Sequence, residues 1–409
     1  MSVRLYRALL LLSTFAFQFT GTGAQSSSSA AVSQNVTANA ETAFQVLQTW
    51  YNTSTGIWDT TGWWNGANCL TVIGDLAALD SSVKSQVTAV YANSITAAAS
   101  YNLGLIQTKI VLPDYNILTL ATYLPQDSVN PKGFLNGFYD DEGWWALGWI
   151  QAFDVTGTAD YLNTAIDIFN DMKNGSTTPC TKSGSGIWWD KAETYVNAIA
   201  NELYLSVAAH LANRESGNKS FYTSIAQEQW TWFQGTGMIN AQGTINDGLT
   251  TACANNNGTV WSYNQGVVLG ALVELNKATG NTSYITSANN IATAAIKTLS
   301  DSDGVLHDPC EPDCGADGSQ FKGIFLRGLQ KLQTVSPSSH YVNFIATNAA
   351  SIWANDMSNG KLSEVWSGPF VAPANASTQS SAMDALVAAI ATQGQAGNGI
   401  SSGRRWNRI

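Results

Sequence analysis

The sequence predicts an all-α chain: six helical hairpins closed into an (α/α)6 barrel, a toroid of six inner helices ringed by six outer ones. Three observations predict it. A motif of about 60 residues recurs, with anchors Tyr161, Tyr222, Tyr284 and Tyr341 spaced 61, 62 and 57 residues apart. Strand-like alternation is nearly absent, while apolar residues fall at helical spacing, as in Ile199, Leu203, Val207 and Leu211. Six aromatic- or acid-rich loops each lead into an Ala/Leu-rich helix. An open helical solenoid is the alternative arrangement of the same hairpins.

The elements justify themselves in order. Arg4 and Arg7, the apolar run Ala8 to Phe19 and the small residues before Ala24 have the layout of a secretory signal peptide over 1–24. Its apolar run is too short to span a bilayer as a mature helix. Residues 25–41 read as a Ser/Ala-rich disordered spacer, 42–392 as the toroid, and 393–409 as a disordered polar tail. The tail has no apolar stretch of the length a lipid-anchor signal needs. The loop-to-helix entries are Trp63-Trp64-Asn65, Asp140-Asp141-Glu142, Trp188-Trp189-Asp190, Trp261 to Gln265, Asp313 to Phe321, and Trp366 before a helix at Ala382. Gly157, Gly217 and Gly280 fit C-caps or turns between paired helices.

Composition narrows the ligand. The 409 residues include 15 Trp, 14 Tyr and 14 Phe but only 12% charged positions, and the net charge is −10. Soluble domains carry about 25% charged residues. Losing the signal peptide removes Arg4 and Arg7 and no acid, leaving −12. This balance disfavours phosphate backbones and anionic membranes, and neither a nucleic-acid partner nor stable membrane insertion is expected. Many aromatics and amides with few charges suit a neutral polar ligand with apolar faces, such as a carbohydrate.

Seven N-x-[ST] sequons, at Asn35, Asn52, Asn174, Asn218, Asn257, Asn281 and Asn375, follow the signal peptide and suggest a secreted glycoprotein. Five cysteines in an oxidising compartment leave one over. The expected pairing is Cys310–Cys314 as a local staple and Cys180–Cys253 between loops, with Cys69 a buried thiol. Cys310-x3-Cys314 has the spacing of half a zinc site but no second cysteine pair, so no metal and no cofactor is expected. His210, His307 and His340 lack H-E-x-x-H spacing, and Gly399 to Gly403 matches G-x-S-x-G without a preceding strand. Asp301 to Asp317 holds six acids out of EF-hand order and reads as a solvated loop.

The run Gly137-Phe138-Tyr139-Asp140-Asp141-Glu142-Gly143-Trp144-Trp145 carries the chemistry. Acids at a helix start can simply serve as caps and dipole partners. Two consecutive Asp exceed what one cap requires, and flanking aromatics would desolvate a carboxyl and raise its pKa, as a general acid needs. Glycoside hydrolysis uses such a pair, about 5–5.5 Å apart in retaining enzymes and about 6.5–9.5 Å in inverting ones. Trp144 and Trp145 fall within the helix and read as core. Trp63, Trp64, Trp188 and Trp189 lie in Gly-rich loops and are candidates to stack on sugar. Asn65, Asp190, Asn264 and Gln265 are candidates to orient hydroxyls, although such amides also cap helices. Asp75, polar on the first inner helix, is a weaker candidate for the mouth.

These residues resemble glycoside hydrolase family 76, the endo-α-1,6-mannanases. Tyr139 to Trp145 is similar to that family's catalytic motif. Trp63 to Cys69, Gly186 to Lys191, Asn197 to Leu203, Trp261 to Gly270 and Asp308 to Phe325 extend the likeness over roughly 42–392. The resemblance implies an (α/α)6 barrel, Asp140 as nucleophile, Asp141 as acid/base, and retention of configuration. It further implies a secreted or cell-wall enzyme, expected as a monomer, cutting internal α-1,6 linkages of mannan or mannoprotein glycans. A transglycosidase using the same pair to attach mannoproteins to the wall, and a non-catalytic carbohydrate-binding toroid, are the alternatives.

Overall fold

The computed structural model describes residues 25–110, 133–182 and 184–393. The signal-peptide reading of 1–24 and nearly all of the polar-tail reading of 393–409 lie outside them. Among the described residues twelve long helices follow in chain order: α1 (Gln25–Gln48), α2 (Trp63–Leu79), α3 (Lys84–Ile110), α4 (Tyr139–Thr156), α5 (Ala159–Met172) and α6 (Ala198–Ala212). The second half contributes α7 (Lys219–Gly235), α8 (Ser262–Thr279), α9 (Ser283–Leu299), α10 (Phe321–Val335), α11 (Ser339–Asn355) and α12 (Ala376–Ala391).

The even-numbered helices form the inner ring. Each packs on the next, α2 on α4, α4 on α6, and so on to α12, which returns to α2. The ring is closed, and the open solenoid is excluded. The odd-numbered helices lie outside, α3, α5, α7, α9 and α11 each behind the inner helix that precedes it and α1 behind α12. Only two-residue strands occur among the described residues, in two small antiparallel pairs.

Position in the ring dictates composition. All fifteen residues of α6 are buried, including Ile199, Leu203, Val207 and Leu211. Such all-round burial is what a helix between two neighbours and an outer layer requires. Outer helix α5 instead buries one stripe, with Tyr161, Leu162, Ala165, Ile168 and Phe169 inward. Gly157 (φ 72°) and Gly280 (φ 77°) take the left-handed conformation as the C-caps of α4 and α8, where a Cβ would be strained. Gly217 differs: it sits in a 3-10 turn, Ser216–Asn218.

Four expectations need correction. Residues 25–41 belong to α1 rather than to a disordered spacer; Ala40, Ala43, Phe44 and Leu47, an apolar stripe at helical spacing, are buried against the closing helix. The last inner helix begins at Ala376, six residues before the expected Ala382, because Asn375 and Thr378 form a reciprocal capping box. Trp63 and Trp64 occupy the first turn of α2, not a loop. The acidic stretch Asp301 to Asp317 is not wholly solvated, since Asp308 is buried and accepts hydrogen bonds from the Ser262 amide (2.8 Å) and hydroxyl (2.5 Å) at the start of α8.

The cysteines fall as expected: Cys180 bonds Cys253, Cys310 bonds Cys314, and Cys69 is a buried thiol. Burial pushes the Cys69 thiol up to about 12, so it is inert. Among the described residues no helix is long and apolar enough to cross a membrane.

Candidate active site

The inner-helix entry loops knit into one rim. The segment before α4 pairs with the segment before α6: the Tyr139 amide donates to the Trp189 carbonyl (2.9 Å) and the Lys191 amide to the Gly137 carbonyl (2.9 Å). The Ala198 amide donates to the Asp247 carbonyl (2.7 Å). Further round, the Trp64 indole donates to Asp317 (3.0 Å), and Thr61 bonds Ser377. A buried side chain four residues past the cap anchors four of these loops. Glu142 accepts from the Asn136 amide (3.3 Å), while Asn201 brackets the Ile187 amide (2.7 Å) and carbonyl (2.9 Å). Gln265 brackets Ile245 likewise (2.9 and 3.0 Å), and Gln379 holds the Leu362 amide (2.8 Å) and Gly360 carbonyl (3.1 Å).

Asp140 and Asp141 sit in the first turn of α4, whose cap, Phe138, offers no side-chain hydrogen bond. The helix N-terminus therefore presents two carboxyls that are not used as caps. The indole N–H of Trp189 donates to one oxygen of Asp140 (3.0 Å), while the other is buried without a partner. Asn136 donates from its amide to Asp141 (2.6 Å), and its own carbonyl oxygen accepts from the Phe138 amide (2.9 Å). Beneath them, fully buried Glu142 pairs with Lys191 (2.6 Å), which also pairs with Asp171 (2.6 Å). That ion triad fixes the loop carrying Trp189.

Burial raises both catalytic candidates. Asp141 is pushed up to about 7, against the lowering contact of Asn136 and with the help of the Asp317 charge. Asp140 is held well above the carboxylate range by burial and then by Asp141, although the Trp189 N–H favours its ionised form. Two adjacent buried carboxyls cannot both ionise cheaply, so the pair gives up its protons in two steps that belong to the pair. Between the two steps it holds one proton and one charge. That is the state general acid plus nucleophile require.

An aromatic wall lines the neighbouring rim. Trp64 stacks on Trp144 (5.5 Å between ring centroids), Phe321 lies 6.2 Å from Trp64, and Tyr263 stacks on Phe321 at 3.7 Å. On the other side exposed Phe138 packs against Trp189 at 5.0 Å.

The sequence candidates divide accordingly. Asp140, Asp141, Trp64 and Trp189 meet at the mouth. Trp63 does not: it packs into the core with Phe134 and Trp145 (6.1 and 4.5 Å). Trp188 turns its indole N–H to Thr177 (3.1 Å), away from the carboxyl pair. Asp190 spends both oxygens on Thr194, on its amide (2.8 Å) and hydroxyl (2.6 Å). Asn65 is buried against Gln320 (3.1 Å), and Gln265 is committed to Ile245. Asn264 is buried with both amide atoms unpartnered. Asp75 lies twelve residues into α2, about 18 Å along the axis from the mouth, near Arg327 (3.7 Å). Sequence reasoning missed Asn136, Asp171, Asp317, Tyr263 and Phe321 as rim residues. Tyr263 and Phe321 lie within blocks that carried the resemblance, but nothing in their spacing marks which faces the mouth.

A closed six-hairpin toroid with a carboxyl pair at an aromatic mouth defines a carbohydrate-active α/α barrel. Residues 28–398 match the model of Glycosyl hydrolase family 76, and the chain belongs to that family. Among similar proteins is the mannan endo-1,6-alpha-mannosidase DFG5 of Candida albicans, 26% identical over 234 residues, 53% of this chain and 50% of that one. The Candida albicans mannan endo-1,6-alpha-mannosidase DCW1 is 27% identical over 257 residues, 58% and 54% of the two chains. The matches thus span about half the length of these relatives. An inactive variant of the alpha-1,6-mannanase GH76A of Salegentibacter, two aspartates replaced by alanine and bound to alpha-1,6-mannotetrose, shares the fold. Its TM-score is 0.70 at 19% identity, over 87% of this chain and 98% of that one. Dfg5 from Chaetomium thermophilum in complex with glucosamine superposes with TM-score 0.69 at 18% identity, over 91% and 95%.

Proposed function

We propose that the chain is a secreted retaining glycosidase that hydrolyses internal α-1,6-mannosidic linkages of cell-wall mannan or mannoprotein glycans. The observation that carries the reading is the unpaired carboxyl couple at the mouth: Asp140 and Asp141 on consecutive residues, each with one neutral donor and no ion pair among the described residues. Asp140 attacks the anomeric carbon while Asp141 protonates the departing glycosidic oxygen. Asp141 then takes a proton from water, which releases the glycosyl group from Asp140. The Trp189 N–H steadies the attacking carboxylate, and Asn136 orients the acid. Trp64 and Trp189 offer sugar-stacking faces. The assignment of the two roles follows the family resemblance.

The chain works as a monomer without metal or cofactor. Five sequon asparagines, Asn35, Asn174, Asn218, Asn257 and Asn281, are exposed and suit glycosylation, and Asn52 is half-buried. Asn375 is a poorer acceptor, because its side chain caps α12 and its sequon Ser377 is buried.

Asp140→Asn and Asp141→Asn, assayed for reducing ends released from α-1,6-mannan, test the reading; undiminished release would leave only a carbohydrate-binding toroid. Longer products beside shorter ones would assign the chain to glycosyl transfer instead of hydrolysis.

A further inference from the structure

The inner helices repeat one register at the mouth, and it singles out a residue two helices round from the carboxyl pair. The second residue past the cap is Trp64 on α2 after Gly62, Asp140 on α4 after Phe138, and Tyr263 on α8 after Trp261. The fourth residue grips the loop, as Glu142 and Gln265 do. Tyr263 therefore stands on its helix where Asp140 stands on α4, two inner helices round the ring. Its ring is fixed face to face on Phe321, 3.7 Å away and 12° from parallel.

Between them, on α6, is Glu202. It is fully buried, and neither carboxyl oxygen has a hydrogen-bond partner. A buried polar group in that condition costs about 1–3 kcal/mol, and an apolar residue of the same size would avoid the cost. Its neighbour Asn201 is spent on the Ile187 loop, so loop anchoring does not explain Glu202. Burial and then the Asp247 charge raise the Glu202 carboxyl well above its ordinary value, which makes it a neutral acid with a hydroxyl to donate and a carbonyl to accept. The Tyr263 phenol is likewise held protonated by burial and then by the Asp247 charge. Asp140, Glu202 and Tyr263 thus stand in the first two turns of three successive inner helices, all at the mouth end of the ring.

We propose that Tyr263 and Glu202 are recognition residues of the sugar pocket that contains Asp140, hydrogen-bonding hydroxyls of the hexose unit whose glycosidic bond is cut. The inference rests on the mannosidase reading above. Tyr263 donates its phenolic hydrogen to the sugar. Glu202, as a neutral acid, donates one hydrogen bond and accepts another, a match for two neighbouring hydroxyls.

The test is steady-state turnover of α-1,6-mannotetraose by the unmodified chain, Tyr263→Phe, Glu202→Gln and Glu202→Leu, with a thermal melt of each. Tyr263→Phe keeps the stacked ring and is expected to raise KM about five- to tenfold, the worth of one neutral hydrogen bond. Glu202→Leu is expected to raise KM about tenfold while melting no lower than the parent, since it removes an unpartnered polar group. Glu202→Gln, which still donates and accepts, should stay within about threefold. A purely structural Glu202 would shift the melt and leave KM alone. Tyr263→Phe and Glu202→Leu both within about twofold of the parent KM would overturn the proposal, and Tyr263→Phe decides alone if Glu202→Leu does not fold. If the unmodified chain does not turn over at all, the mannosidase reading fails. Titration of α-1,6-mannotriose into the parent and Tyr263→Phe then decides the pocket: weaker binding by the variant supports it, and equal or absent binding overturns it.

Discussion

The inner ring holds two kinds of buried acid, those left unpaired at the mouth and those bound by a cation. At the mouth, Asp140, Asp141 and Glu202 make no ion pair among the described residues, and burial raises all three. Midway down the ring Asp384 is bound by the Arg327 fork (2.9 and 2.7 Å), although burial still pushes it up to about 7, and at the far end Arg214 joins Asp154 (2.5 Å) to Glu274 (3.0 Å). Arg214 holds Glu274 far below the carboxylate range despite its burial. These pairs tie successive helices together: Asp154 on α4, Arg214 just past α6 and Glu274 on α8, then Arg327 on α10 and Asp384 on α12. An unpaired acid at the mouth is left free to meet substrate, whereas a cation-bound one is spent on holding the fold.

The largest break in that comparison is chemical. Asp140→Asn and Asp141→Asn should each cost about 10³-fold or more in mannan cleavage, since each removes one half of a two-carboxyl mechanism. Melting should be unimpaired. Next comes the Arg327 fork, where Arg327→Met strands Asp384 and should destabilise the fold by about 3–5 kcal/mol. Denaturant unfolding measures it, and a loss under about 1 kcal/mol would mean that the fork behaves like a surface pair. Trp189→Phe is smaller: it keeps the ring beside Phe138 but removes the donor to Asp140. We expect about a tenfold fall in kcat/KM, and an unchanged pH–rate profile would show that this donor does not set the titration of the pair.

Two pH effects sharpen the contrast. Asp141 must be protonated to act as acid, so kcat/KM should fall as pH rises through about 7, the value to which burial pushes it. Stability carries the same sign. A carboxyl whose folded pKa is raised contributes stability below its unfolded pKa, near 4, and loses it as pH rises through the folded one. The melting temperature should therefore decline between about pH 4 and 7.5. Asp141→Asn, neutral at every pH, should melt about 2 °C higher than the parent at pH 7.5 while being inactive. An equal or lower melt would mean that the mouth is not strained by its charge.

Much of this was legible in the sequence. The 60-residue recurrence specified six hairpins because each must bury the same faces, and repetition survives substitution. Asp140 and Asp141 were legible because two acids amid aromatics exceed what capping needs. The fates of Trp63, Trp188, Asn65, Asp190 and Gln265 were not. An aromatic or amide at a helix entry can turn outward to ligand or inward to a loop, and a rotation of one residue, about 100°, decides between them. Glu142, Asn201, Gln265 and Gln379 form one anchoring position, yet they are Glu, Asn, Gln and Gln and start from different caps, so they align only once the helix starts are known. The helix at 25–41 was missed because Ser and Ala are compositionally ambiguous, and its stabilising contact lies more than 300 residues away on α12.

That closing contact also sets an order of events. The α1–α12 pair joins the first and last long helices among the described residues, so the ring cannot close until α12 has been made. Until then α2 and α10 each lack one inner neighbour, and the apolar faces meant for the gap stay open. A chain threaded through a translocation channel from its N-terminus would wait in that open state for its final helix. Ring closure, rather than any single hairpin, is where assembly becomes all-or-none.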